Sequence, residues 1–101
     1  INMKLIIAIV RPHTIDKIVV ALEEIENFPG ITVTDVEGFG KRLRTPGYDA
    51  LNPFKLQKHI TIAANNEMVE PIVTALRENA HTGKNGDGII VVVPIENAVL
   101  I

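Results

Sequence analysis

Two short stretches of this chain repeat each other, and that repeat limits the folds open to it more than any other feature. Ile18-Val19-Val20-Ala21-Leu22 and Ile72-Val73-Thr74-Ala75-Leu76 differ at a single residue and stand 54 positions apart. At the same offset Ile15 meets Val69, Asp16 meets Glu70 and Ala8 meets Ile62. A chain of 101 residues has room for one hydrophobic core and no second. The two copies are therefore halves of one domain, 1–101, and share that core.

Each half reads as a strand, a helix and a returning strand. Lys4 to Arg11 is nearly continuous Ile, Val, Leu and Ala, as a central strand requires. Ile31 to Gly38 alternates for most of its length, and His59 to Ala64 and Ile89 to Val93 complete four strands. Ile15, Ile18, Val19, Leu22 and Ile25 follow helical spacing. That predicts a helix over Ile15 to Glu26, with Thr14 as N-cap and Asp16 in the first turn. Val69, Ile72, Val73, Leu76 and Ala80 mark a second helix capped by Asn66. Pro71 removes a helical donor and should delay or bend its start. The order predicts an α+β fold, the ferredoxin-like βαββαβ sandwich, with an antiparallel four-stranded sheet and both helices on one face.

Composition adds two expectations. With no Trp, one Tyr and three Phe, the core is aliphatic. The strands are apolar on both sides, so the face without helices should pack on copies of the chain. The net charge of −2 excludes a generally basic nucleic-acid binder. Five cations and one anion between Lys41 and Lys58 nevertheless leave +4 there and −6 elsewhere. The absence of Cys excludes a disulfide framework and points to the cytoplasm. No apolar run approaches a membrane span, so no direct membrane insertion is expected.

Fold alone does not give function here, and two loops carry the chemistry. Gly38-Phe39-Gly40 leads into 41–57, too long for an ordinary connection. It reads either as a solvated basic loop or as a mobile recognition arm for an anionic ligand or partner. The second loop, 81–88, runs His81-Thr82-Gly83-Lys84-Asn85-Gly86-Asp87-Gly88. It reads either as a tight helix-to-strand connection or as a backbone concavity that cradles phosphate. Thr82 and Lys84 are apt phosphate partners, and Asp87 can hold the turn by accepting its N–H groups. The loop follows a helix and lacks the Walker spacing, so it is not a P-loop.

These motifs together resemble the PII nitrogen-regulatory family over essentially the whole chain. The matching stretches are K-L-I-I-A-I-V-R-P, I-T-V-T-D-V-E-G-F-G, T-G-K-N-G-D-G and V-P-I-E-N-A-V. The resemblance implies a homotrimeric signalling protein that is not an enzyme. It implies three adenine-nucleotide sites between subunits, with ATP or ADP as effector. The segment 41–57 would be the T-loop that engages a target, a membrane transporter or an enzyme. The segment 81–88 would be the B-loop. Carried over residue by residue, Gly86, Asp87 and Gly88 would hold the phosphates, and Thr82, Gly83 and Lys84 would shape their turn. Gly38, Phe39, Gly40 and Lys41 would form the T-loop base, and Ile9, Thr32 and Ala63 would line the adenine and ribose. Arg42, Arg44, Tyr48 and Lys55 would face the partner.

Five positions depart from the family pattern. Lys41 replaces an Arg, Arg42 a Gln that helps bind Mg²⁺ and 2-oxoglutarate, and Gln57 a Lys that pairs with 2-oxoglutarate. Ile89 replaces the Lys after G-D-G, and Leu100 the first Arg of a terminal R-I-R-T-G. Mg²⁺ and 2-oxoglutarate are therefore not carried over. Two other readings of the same fold are a phosphate-ester hydrolase and a trimeric metal-tolerance-type protein. The first needs the cationic clamp depleted here, and T-G-K-N-G-D-G argues against the second. His13, His59 and His81 fall on different elements and read as single surface or turn histidines rather than metal ligands.

Overall fold

The computed structural model describes residues 2–40 and 53–101. Strand β1 (Met3–Val10) leads through a 3-10 turn (Pro12–Thr14) into helix α1 (Ile15–Glu23). Strands β2 (Thr32–Gly38) and β3 (Lys55–Asn65), helix α2 (Asn66–Ala80) and strand β4 (Gly88–Ile95) follow. The sheet order is β2-β3-β1-β4, every pairing antiparallel, as the duplicated unit requires. The fold is the expected ferredoxin-like α+β sandwich.

The repeat is visible in the core. Ile18 and Leu22 of α1 and their equivalents Ile72 and Leu76 of α2 are fully buried. They cover one sheet face, made of Ile6, Ala8 and Val10 from β1 and Ile60, Ile62 and Ala64 from β3. These strand positions alternate, so the intervening side chains stand on the other face. Ile9 and Ile89 are partners there, as are Ile7 and Val91, and Leu5 and Val93. No element of the described chain covers that face, and Ile89, Val91 and Val93 remain 58%, 40% and 38% exposed.

Several boundaries differ from expectation, each for a local reason. Helix α1 stops at Glu23 rather than Glu26. Glu23, Glu24 and Glu26 crowd its C-terminus, where the helix dipole disfavours anions, and Asn27 turns left-handed at φ 62°. Thr14 does not cap through its side chain; its hydroxyl instead donates to the Arg11 carbonyl at 2.8 Å and closes the 3-10 turn. Helix α2 begins at Asn66, with Asn65 in the capping position, and runs through Pro71 without a late start. Strand β3 begins at Lys55, so 55–57 belong to the sheet and not to the preceding loop. The ladder with β2 holds them there, pairing Gly38 with Lys55 and Val36 with Gln57.

Candidate functional site

One end of the sheet gathers the last residues of β1, Gly38 of β2, the first residues of β3 and Gly88 of β4. The loop from His81 to Asp87 folds over this end. At its centre lies the Asp87 carboxylate. One oxygen, Oδ2, accepts the amide N–H groups of Thr82 at 2.7 Å and Gly83 at 3.1 Å. The other, Oδ1, accepts the Thr82 hydroxyl and, at 3.2 Å, Nε of Arg11. Arg11 also donates from Nη2 to the Asn85 carbonyl at 2.6 Å, and the Lys84 amide donates to Thr82 Oγ1 at 3.3 Å. The turn is thus closed by its own side chains and tied to β1. Burial would raise the Asp87 pKa, but bonds from the Thr82 hydroxyl and amide, Arg11 and Gly83 outweigh it and lower it from 3.8 to about 2.

Gly88 explains why this turn meets the sheet where it does. Its φ is +134°, and a Cβ placed there would sit 2.0 Å from the Ile9 carbonyl oxygen. Only glycine lets β4 begin so close to β1. Gly83 and Gly86, at φ 85° and 86°, supply the two left-handed bends between.

The expected site residues divide into three groups. Thr82, Gly83 and Lys84 shape the turn, since their amides point inward. Among the described residues no side chain accepts from the amides of Gly86 or Asp87. The Asp87 carboxylate is spent on the turn itself. Gly38, Phe39 and Gly40 lie at the same sheet end, and the Phe39 ring meets Phe54 at 5.8 Å and 48°. That contact joins the chain before 41–52 to the chain after it. Lys41, Arg42, Arg44 and Tyr48 lie outside the described residues. Lys55 is the first residue of β3, directly after the loop.

Ile9, Thr32 and Ala63 share the helix-free face but not one place on it. Ile9 faces His59, whereas Ala63 faces Leu5 and Thr32 faces Thr61. Four residues of strand separate Ile9 from Ala63, roughly 13 Å. One chain does not bring them into one pocket.

Two open clefts flank the turn. One, of about 470 Å³, runs between α2 and β4 and is lined by Val73, Arg77, His81, Asp87 and Ile90 among others. The other, of about 590 Å³, is lined by Gln57, His81, Lys84, Gly86, Asp87 and Ile89 among others. Three of these participants escaped the reading of the sequence as site residues. Arg11 reaches Asp87 across 76 positions, and its one sequence signal was its place in the R-P that ends the first strand. Gln57 is a buried polar side chain facing the turn. His81 places Nδ1 3.6 Å from Asp87 Oδ2.

Residues 3–101 match the family described as Nitrogen regulatory protein P-II. The chain is 36% identical to a Nitrogen regulatory protein P-II of Azospirillum brasilense, over 98% of this chain and 91% of that one. It is 37% identical to the protein of the same name from Bradyrhizobium diazoefficiens, with the same coverage. Among solved structures it resembles Arabidopsis thaliana PII bound to citrate, with a TM-score of 0.80 and 31% identity. That likeness covers 99% of this chain and 81% of the other.

Proposed function

Because the chain belongs to the nitrogen regulatory protein P-II family of signal-transduction proteins, we propose that it is a trimeric sensor of an adenine nucleotide. Nucleotide bound at the 81–88 turn would set how the segment from Lys41 to Phe54 meets a target, a membrane transporter or a metabolic enzyme. The role is regulatory, not catalytic.

The Asp87-centred turn carries this reading. It turns three amides and a hydroxyl inward, and Lys84, Gly86 and Asp87 line an open cleft beside them. Backbone amides at glycine bends, with a cation nearby, suit a phosphate group. The apolar face bearing Leu5, Ile7, Ile9, Ile89, Val91 and Val93 supports association. The separation of Ile9 from Thr32 and Ala63 supports a pocket shared between copies, one supplying each end. Coupling to a target needs the nucleotide to favour one arrangement of the loop over another. Gly38 to Gly40 lie at the sheet end where the phosphates would sit, which provides the link. Among the described residues no helix is long and apolar enough to cross a membrane, so a transporter target would be met from outside the bilayer.

Calorimetric titration of the assembled protein with ATP, ADP and AMP, with and without Mg²⁺, tests the proposal. Micromolar binding of one nucleotide, lost in Asp87→Ala, is the expected result. Absence of binding by all three, or phosphate release at turnover rates of seconds, would overturn it.

A further inference from the structure

We propose that His81 is a ligand-binding residue of the Asp87 turn, and that a phosphate group enters beside it together with one proton. The inference rests on the reading of this turn as a nucleotide site and adds a residue and a linkage to it.

The position of the imidazole is set by the fold. His81 is the residue that ends α2, and its own amide donates to the Arg77 carbonyl at 3.1 Å. From there Nδ1 faces Asp87 Oδ2 at 3.6 Å, while the side chain stays 72% exposed and lines both clefts. A neutral imidazole has one N–H and one lone pair. Opposite an ionised carboxylate the N–H belongs on Nδ1, because a lone pair there would meet negative charge. Nε2, on the far side of the ring, then presents its lone pair to solvent. A phosphate oxygen arriving there meets a lone pair and is repelled. One added proton reverses this, because an imidazolium is attracted to the carboxylate 3.6 Å away and donates from Nε2 to the phosphate.

The surrounding charges favour an anion beside the ring. Arg11 from the end of β1 binds the same carboxylate, Arg77 of α2 lines one shared cleft, and Lys84 of the turn lines the other. These three cations attract an anion to the same place. The proton comes from solvent, and no bond of the ligand is broken. Nucleotide affinity therefore falls as pH rises through the histidine range, by at most about tenfold per pH unit for one linked proton.

The test is calorimetric titration with ADP at about pH 7, within reach of histidine titration. It is run in two buffers of different ionisation enthalpy on the wild type, His81→Gln and His81→Lys. Protonation of ADP itself is common to all three and cancels. The wild type is expected to take up more protons per nucleotide than His81→Gln, by a large fraction of one. His81→Gln should bind several-fold more weakly at acidic pH, and His81→Lys should recover affinity without the uptake. Equal uptake by wild type and His81→Gln would overturn the inference while leaving the nucleotide reading intact. So would a His81→Lys protein that binds no better than His81→Gln. No binding by the wild type would overturn both.

Discussion

The two halves of the repeat leave their helices in different ways. After α1 the chain returns to edge strand β2 through a connection pinned by apolar contact. Ile25, Phe28 and Ile31 pack on the core, and Asn27 and Gly30 turn the backbone at φ 62° and 118°. After α2 the chain returns to edge strand β4 through a connection pinned by one carboxylate, with Arg11, Thr82 and Gly83 as its partners. Both segments do the same structural task. An apolar pin buries the groups that form it and leaves nothing for a solute. An ionic pin sits at the surface, and the backbone it folds can still meet water or an anion. Of the two equivalent connections, the second is flanked by open clefts on both sides.

The comparison breaks first, if it breaks, at the glycines. Gly88→Ala should cost about 3 kcal/mol or more, because its Cβ would meet the Ile9 carbonyl. Gly30→Ala has open space and only a strained φ, and should cost about 1–2 kcal/mol. Urea unfolding midpoints measure both, and equal costs would show that the close approach at Gly88 relaxes freely.

Phe28→Ala should lower global stability by about 2–3 kcal/mol, since the ring is only partly buried. Asp87→Asn should cost about 1–3 kcal/mol, because its new N–H₂ group must face donors. The two differ in where the loss appears. Hydrogen exchange should quicken throughout the core for Phe28→Ala, but mainly at the Thr82 and Gly83 amides for Asp87→Asn. Core-wide loss in both would mean that the second connection is no more independent than the first.

Acid separates the connections next. The Asp87 pKa is lowered from 3.8 to about 2. Its contribution to the turn is therefore complete above about pH 4 and is lost as pH falls through 2. NMR titration of the carboxylate should show that midpoint, with the Thr82 and Gly83 amides moving alongside it and the Phe28 ring unmoved. The smallest effect expected is that of Thr82→Val, about 1 kcal/mol for one hydroxyl bond, confined to the turn in the same exchange experiment.

How much of this was legible in the sequence depends on range. The fold could be read because the repeat carries its apolar stripe twice, and Ile18, Leu22, Ile72 and Leu76 all proved to be buried. The glycines of the second loop could be read because bends are local demands. The start of β3 could not, since Lys55-Leu56-Gln57-Lys58 has no apolar run and is held by pairing to β2. Nor could the end of α1 be read from its stripe, as Ile25 continues the helical spacing past the last helical residue. Arg11 was invisible as a site residue for a different reason. Its partner is fixed by the β1–β4 ladder, which no spacing along the chain encodes. His81 was read as an ordinary turn histidine because its carboxylate neighbour depends on how the glycines bend.

That ladder also has a consequence for the order in which the molecule comes into being. The pairing of Met3 with Ile95 and Val10 with Gly88 joins the first strand to the last, so Arg11 waits for nearly the entire chain before it meets Asp87. Contacts of such long sequence separation carry a large closure cost and form late. A ribosome-bound chain lacking its final strand could assemble the β1–α1–β2–β3 layer, but not the turn's tether. The tether that closes the turn is then a property of the finished chain alone, and a half-made copy has most of the sheet without it.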